Sequence, residues 1–369
     1  MTIGIVGGGQ LGRMLALAGY PLGLDCLFLD RSDDTPAAQV APGLVGSLDD
    51  HALLRRLAKR SDVLSFDWEN ASVPALRRAT RGVATRIAPP LRALAVAQDR
   101  LSEKRLFGQL GIHTTRHAAV GSQAGLQRAV QLIGLPGVLK TRRLGYDGKG
   151  QKVLRTIADV ENAWRDLGEV PLIYEEWISF DYEVSAIAVR DRRGRTAFYP
   201  LNRNAHAGGI LRVTSAPWND AALTRSARRV LTAVLRKLNY VGVLAVEFFV
   251  ANGRLIANEM APRVHNSGHW TIEGAVTSQF ENHLRAITGL PLGDTSATAH
   301  AGMINLLGEV PPAASLLDVP GLHLHDYGKR PRPGRKVGHL TILRPTAAER
   351  DRIVRQIFRR IYPRGAIIL

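Results

Sequence analysis

An α/β amino-terminal domain, followed by an α+β body and a small carboxy-terminal portion, is the fold class the sequence predicts, and three observations predict it. Short apolar runs alternate with helical patterns over residues 1–97. From residue 98 the apolar runs come mostly in pairs joined by turn residues. After about residue 295 a smaller tail carries a basic, proline-bearing loop and a last helical pattern. The first arrangement reads βαβαβ, which builds a parallel sheet with helices on its faces. The domains expected are therefore 1–97, 98–295 and 296–369.

The elements follow in order. "TIGIVGG" reads as a strand, "LGRMLALAGYPLG" as a helix ended by Pro21 and Gly23, and "LDCLFLD" as a second strand. "SLDDHALLRRLAKR" is an amphipathic helix with Ser47 expected at its N-cap, and "SDVLSFDWE" is a third strand. The body opens with a helix over 98–111 that stops at Gly111. "PGVLKTRRLGYDGKGQKVL" is two strands joined by a glycine-bearing loop. "LIYEEWI" and "YEVSAIAVRDRRGRTAFYPL" are strands, "TRSARRVLTAVLRKLN" a long helix, and "GVLAVEFFVANGRLIANEMAPRVHNSGH" a hairpin leading into a polar loop. The tail contains "HLHDYGKRPRPGRKVGHLTIL" and the helical "AAERDRIVRQIFRRI".

Composition narrows the class. With 369 residues, 45% hydrophobic and 22% charged, the chain is expected to be a soluble globular protein. No run approaches the roughly 20 apolar residues of a membrane span, and no secretory pattern opens the chain. The single cysteine, Cys26, forms no internal disulfide, and a reducing cytoplasm is expected. Lys and Arg number 49 against 32 Asp and Glu, a net charge of +17. The basic residues are dispersed, aromatics reach only 6%, and no nucleic-acid motif is present, so nucleic-acid binding is not expected.

Five motifs carry chemistry. Gly7, Gly9 and Gly12 make a tight strand-to-helix turn, with Asp30 ending the next strand. This outlines a dinucleotide fingerprint, and it serves equally for another phosphorylated ligand at a helix N-terminus. Lys140 ends an apolar strand before Gly145-Tyr146-Asp147-Gly148-Lys149-Gly150, a loop able to wrap phosphates but not a Walker loop. Glu247 and Glu259 lie on strands meeting around Asn252-Gly253. A two-residue turn alone sets Glu247 opposite Asn258, whereas one extra loop residue sets it opposite Glu259 on the same face. Two carboxylates so placed repel unless a cation lies between them, and Mg²⁺ suits carboxylate and phosphate oxygens. Arg263, His265, Asn266 and His269 suit a small oxyanion such as bicarbonate or phosphate; a zinc pair at His265 and His269 lacks a third ligand. Lys329, Arg332, Arg335 and Lys336 are presented by a stiff loop that fits a sugar phosphate.

Taken together, "GIVGGGQLGRM", "QDR", "GYDGKGQ", "YEVS", "NEMAPRVHNSGHWTIEGAVTSQFENHLRAITGLPL" and "RPGRKVGHL" resemble the ATP-grasp enzymes. Within them the resemblance is to the purine-biosynthetic branch that carboxylates 5-aminoimidazole ribonucleotide. It implies a Rossmann-like N-terminal domain, an ATP-grasp body whose halves clamp ATP, and a small C-terminal portion. It implies a cytoplasmic homodimer that uses ATP, Mg²⁺ and bicarbonate, binds no nucleic acid or membrane, and works through carboxyphosphate. By this resemblance Arg100, Lys140, Gly145, Tyr146, Asp147, Gly148, Lys149, Gly150, Gln151, Glu175, Glu183, His206 and Asn258 bind ATP, and Glu247 and Glu259 hold Mg²⁺. Arg263, His265, Asn266 and Lys329 match catalytic positions. Gly9, Gln10, Leu11, Glu69, Tyr146, Lys149, Lys329, Arg335 and Lys336 match positions facing the ribonucleotide. The sequence departs from the pattern at "FDWENASV", where Asp67 stands at the first acid, and at Leu144, where a further glycine is usual. A formate-dependent ATP-grasp transformylase would share the ATP residues and differ in the acceptor.

Overall fold

The computed structural model describes residues 1–145, 148–363 and 365. In the amino-terminal region β1 (Thr2–Val6), α1 (Gln10–Gly19), β2 (Asp25–Asp30), β3 (Gly43–Val45), α2 (His51–Lys59), β4 (Val63–Phe66), α3 (Val73–Ala79), β5 (Arg86–Ile87) and α4 (Leu91–Ala97) follow in turn. Their sheet has the order β3-β2-β1-β4-β5, and every pairing is parallel. Val63–Phe66 is buried throughout and Ile3–Val6 likewise, as helices on both faces require. The N-cap of α2 is Asp50, not Ser47: Asp50 has extended backbone and its Oδ1 accepts the Leu53 N–H at 2.8 Å. Ser47 lies too far upstream to reach the first turn.

The body begins with α5 (Arg100–Gln109), whose N-cap Asp99 accepts from Leu101 and Ser102. A small lobe holds β6 (His117–Val120), α6 (Gln123–Ile133), β7 (Gly137–Thr141), β8 (Gln151–Leu154), α7 (Ile157–Asp166) and β9 (Leu172–Glu176), in an antiparallel sheet of order β6-β9-β7-β8. The larger lobe contains β10 (Tyr182–Arg190), β11 (Thr196–Phe198), β12 (Asn202–Ala207), β13 (Ile210–Ala216), α8 (Ala221–Lys237), β14 (Gly242–Ala251), β15 (Arg254–Ala261), α9 (Thr271–Gly274) and α10 (Gln279–Thr288). The chain ends with β16 (His300–Leu307), β17 (Leu322–Asp326), β18 (Lys336–Arg344) and α11 (Ala347–Ile361). Among the described residues the tail has no separate sheet. β16 pairs with β13, and the continuous antiparallel sheet runs β15-β14-β10-β12-β13-β16-β18-β17.

One apolar core joins the amino-terminal sheet to the large lobe. Ile3, Ile5, Leu11 and Met14 are buried in the same cluster as Ile187, Val243, Phe280 and Leu284, and α10 packs on both α1 and β14. The open end of the parallel sheet is therefore held against the hairpin β14–β15. Among the described residues no helix is long and apolar enough to cross a membrane.

Candidate active site

In the strand order β3-β2-β1-β4-β5 successive strands are added first on one side of β1 and then, from β4, on the other, and open parallel sheets bind ligands in the crevice beyond such a switch point. Gly7–Gln10 leaves β1 there and Asp67–Glu69 leaves β4. Gly7 has φ 101°, and a Cβ on it would lie 1.7 Å from Asp67 Oδ1, so the turn accepts glycine for both conformation and space. Asp67 Oδ2 accepts the N–H groups of Gly9 (2.7 Å) and Gly12 (3.1 Å), while Asp30 Oδ2 accepts that of Gly8 (2.5 Å). Burial pushes the Asp67 carboxyl up to about 6 despite these donors. The helix end expected to offer free N–H groups to an anion is thus partly satisfied by the protein's own carboxylates. Asp30, which has the ribose spacing of a dinucleotide site, is engaged with Gly8.

The hairpin β14–β15 turns through Asn252 (φ 50°) and Gly253 (φ 68°), the two-residue geometry that suits right-twisted strands. No extra loop residue is present. Glu247 nevertheless faces Glu259, because a bulge at Asn258 shifts the register between Phe248↔Ala257 and Glu247↔Glu259. Burial, and then the charge of Glu259, pushes Glu247 up to about 7. Glu259 is held below the ordinary range: burial opposes this, but the Arg100 guanidinium at 2.9 Å outweighs it. His265 Nε2 lies 3.3 Å from Glu247 Oε1. Its Nδ1 accepts from Ser267, by the hydroxyl at 2.8 Å and the N–H at 3.4 Å, which leaves Nε2–H to donate to Glu247. Burial and the neighbouring Arg263 push His265 down to about 3, so the ring is neutral at ordinary pH.

The two acids fit a divalent cation as part of its ligand set. Among the described residues no group of three or more His, Cys, Asp or Glu is arranged to hold a metal by itself. Mg²⁺ takes one or two carboxylates and completes its shell with phosphate oxygens and water. The raised Glu247 and the buried, unpartnered Asn258 Oδ1 beside the pair are what a cation–phosphate ligand would relieve.

The loop after β15 carries the Arg263, His265, Asn266 and His269 cluster. Arg263 reaches Glu69 Oε1 at 2.9 Å, and its Nε is buried without a partner. Asn266 makes a reciprocal amide pair with Asn305 of β16: its Nδ2 donates to Asn305 Oδ1 (3.0 Å) and its Oδ1 accepts from Asn305 Nδ2 (2.8 Å). The side-chain amide of Asn266 is therefore committed to the tail strand. His269 is buried, with Nδ1 near Asn266 and Tyr327. In the basic loop Lys329 Nζ meets Gln10 Oε1 at 2.5 Å, and burial with the Arg335 charge pushes its ammonium down to about 8.

Across the crevice, the small lobe brings Lys140 to Glu175 (3.1 Å), and Lys104 reaches the same Oε2 at 3.4 Å. Burial raises Glu175, but Lys140 and Lys104 prevail and hold it well below the carboxylate range. His206 Nδ1 lies 2.6 Å from Glu183 Oε2; burial lowers its basicity, yet the Glu183 contact leaves it raised overall.

One cavity of about 870 Å³ gathers Gly9, Gln10, Leu11, Glu69, Arg100, Gly145, Lys149, His206, Glu247, Glu259, Arg263, His265, Asn266, Arg335 and Lys336. Lys329, Glu183, Glu175 and Asn258 do not line it; Lys329 contacts the lining residue Gln10, Glu183 the lining residue His206, and Asn258 adjoins Glu259. Lys140, Gly148, Gly150 and Gln151 stand in or beside the glycine loop, off the cavity wall. Tyr146 and Asp147 lie outside the described residues. Residues not anticipated are Glu103, Lys104, Arg142 and Asn305. A signal for the first two exists: Arg100, Glu103 and Lys104 share one face of α5 with the buried Phe107 at helical spacing, so three ionisable residues stand on the face that also carries a core aromatic.

Comparison with known proteins agrees with this geometry. Residues 1–98 match the ribonucleotide synthetase preATP-grasp domain, 105–280 the ATP-grasp domain, and 301–352 the phosphoribosylaminoimidazole carboxylase C-terminal domain. The N5-carboxyaminoimidazole ribonucleotide synthase of Pseudomonas aeruginosa is 52% identical over 93% of this chain and 94% of its own. The crystal structure of N5-carboxyaminoimidazole ribonucleotide synthetase from Thermus thermophilus superposes with TM-score 0.92 at 49% identity, covering 97% of this chain and 98% of that one. The Aspergillus clavatus enzyme in complex with ADP and 5-aminoimidazole ribonucleotide superposes with TM-score 0.91 at 28% identity over 98% of each chain. With a three-domain match, a shared fold along nearly the whole length, and the acid pair, oxyanion loop and glycine turn in one crevice, the chain belongs to the N5-carboxyaminoimidazole ribonucleotide synthase family of ATP-grasp enzymes.

Proposed function

We propose that this enzyme carboxylates the exocyclic amine of 5-aminoimidazole ribonucleotide, using ATP and bicarbonate with Mg²⁺. The observation that carries the reading is Glu247 facing Glu259 in the same cavity as Arg263, His265 and the glycine turn. Bicarbonate is a poor electrophile, so one of its oxygens must first become a leaving group. A bicarbonate oxygen attacks the γ-phosphorus, the bond to the β-phosphate oxygen breaks, and ADP and carboxyphosphate result. The amine nitrogen then attacks the carboxyl carbon, or CO₂ released from carboxyphosphate; phosphate leaves, and the nitrogen loses a proton.

The protein's part is positioning and charge neutralisation. Lys140 and Lys149 hold the ATP phosphates, with the glycine loop folding over them. Glu247 and Glu259 are the residues that would hold Mg²⁺, which would supply charge neutralisation for phosphoryl transfer. Arg263 and the neutral His265, with Asn266 behind them, line the place for the oxyanion. Lys329, Arg335 and Lys336 receive the ribonucleotide against Gln10 and Glu69. A cytoplasmic homodimer accompanies this reading, and sedimentation tests the dimer.

The test is ADP release with each substrate omitted in turn. Full turnover requires bicarbonate and 5-aminoimidazole ribonucleotide together; turnover with formate plus glycinamide ribonucleotide instead would move the chain to a different acceptor.

A further inference from the structure

β15 is the edge strand of the large sheet, so one row of its backbone groups has no strand to pair with. Beside the acid pair that row is satisfied from α5 and the segment after it. His113 O accepts the Ala257 N–H at 2.8 Å, and Thr114 Oγ1 donates to Ala257 O at 2.8 Å. Lys104 Nζ donates to Asn258 O at 2.9 Å and to Thr114 Oγ1 at 3.0 Å. Glu103 Oε1 accepts the Met260 N–H at 2.6 Å. The four of these contacts that reach β15 fall on Ala257, Asn258 and Met260, and so surround Asn258, the one residue that sets Glu259 rather than its neighbour opposite Glu247. Glu103 and Lys104 are almost fully buried (2% and 1% exposed), a costly place for two ionisable groups: Lys104 is shared between this edge and Glu175, and Glu103 has the Met260 N–H as its hydrogen-bond donor.

We propose that Glu103 and Lys104, with Thr114, are positioning residues that hold the β15 bulge and thereby the register of the Glu247–Glu259 pair. A regular ladder would put Asn258 across from Glu247 and turn Glu259 to the opposite face. The clamp takes the backbone groups that the bulge leaves on the edge, so the irregular pairing is retained. This inference rests on the reading of the two acids as a divalent-cation site.

Mn²⁺ binding to the enzyme–ADP complex, followed by the electron paramagnetic resonance of free Mn²⁺, tests it alongside ADP affinity measured in excess EDTA. Glu103→Ala and Thr114→Val are expected to weaken Mn²⁺ binding about tenfold, with metal-free ADP affinity within about twofold of the parent. Glu103→Gln keeps an oxygen for the Met260 N–H and is expected to stay within about twofold in both measurements. Lys104→Met is expected to weaken Mn²⁺ as well. Where Glu103→Ala does not fold, Thr114→Val, a near-isosteric change, carries the test. Mn²⁺ affinity unchanged in Thr114→Val and Glu103→Ala overturns the proposal. So does a loss in Glu103→Gln equal to that in Glu103→Ala, since the carboxylate would then act by charge and not through the bulge. Glu259→Gln separates the two readings: if it leaves Mn²⁺ affinity intact, the acid pair is not the cation site at all.

Discussion

Glu247 joins stability to function at a single side chain. Its folded-state value of about 7 lies above the ordinary 4.5, so between these the folded protein holds more protons than the unfolded chain. Stability contributed by this group therefore falls as pH rises from about 4.5 to about 7. Glu247→Gln is expected to flatten that slope and, at pH 8 without nucleotide or metal, to stabilise the protein by about 2 kcal/mol in urea titrations. The same variant is expected to lose ATP turnover, a trade common where like charges are held for a ligand. Lys329 gives the opposite limb. Its ammonium, pushed down to about 8 by burial and Arg335, discharges as pH rises through that value. The kcat/KM for the anionic ribonucleotide should fall above about pH 8, and Lys329→Met should remove the limb while lowering the plateau. Leu144 stands at φ 65° and is 71% exposed, so it bears left-handed backbone strain with little packing in return. Leu144→Gly should stabilise the fold by about 1 kcal/mol.

At the scale of elements, the oxyanion loop is held by a strand far along the chain. Asn305 of β16 is fully buried and gives both halves of its amide to Asn266, with a further bond to Leu211 O at 2.8 Å. Asn305→Ala should lower kcat by about 10-fold or more while leaving KM for ATP near its parent value, because Asn305 contacts none of the residues proposed to hold the ATP phosphates. Steady-state kinetics with bicarbonate and ATP varied separately checks this. The hairpin β14–β15 illustrates how an element can be read correctly in outcome and wrongly in cause. The pairing of Glu247 with Glu259 was conceivable from the spacing, but through an added loop residue. The Asn252-Gly253 turn is a plain two-residue turn, and the bulge does the shifting. A bulge leaves little trace in a local pattern, because the residues that hold it belong to another element. Similarly α2 takes Asp50 as its cap where Ser47 also had the right chemistry; only the backbone path chooses between them.

For the molecule as a whole, α1, α10 and β14 share one core between the amino-terminal sheet and the large lobe, and the two are expected to unfold together. Leu284, fully buried between them, is the point to test. Leu284→Ala should cost about 2–5 kcal/mol and lower the temperature of a single calorimetric transition. Two separate transitions would show that the lobes unfold independently. The same packing forms the crevice, since it brings the carboxyl ends of β1 and β4 to face the hairpin and the basic loop.

The amino-acid sequence by itself determined the parallel amino-terminal sheet, the hairpins of the body, the glycine turn, the two acids and the basic loop. These depend on periodicity and on residue types whose chemistry is local: glycine at a tight turn, a carboxylate interrupting an apolar strand. Tertiary structure alone decided that Asp67 caps the turn, that Asn305 secures Asn266, and that Glu103 and Lys104 bracket the bulge beneath Glu259. Each of these joins residues distant in the chain, and a buried polar group's partner is set by which elements pack together, a property no local stretch of sequence contains.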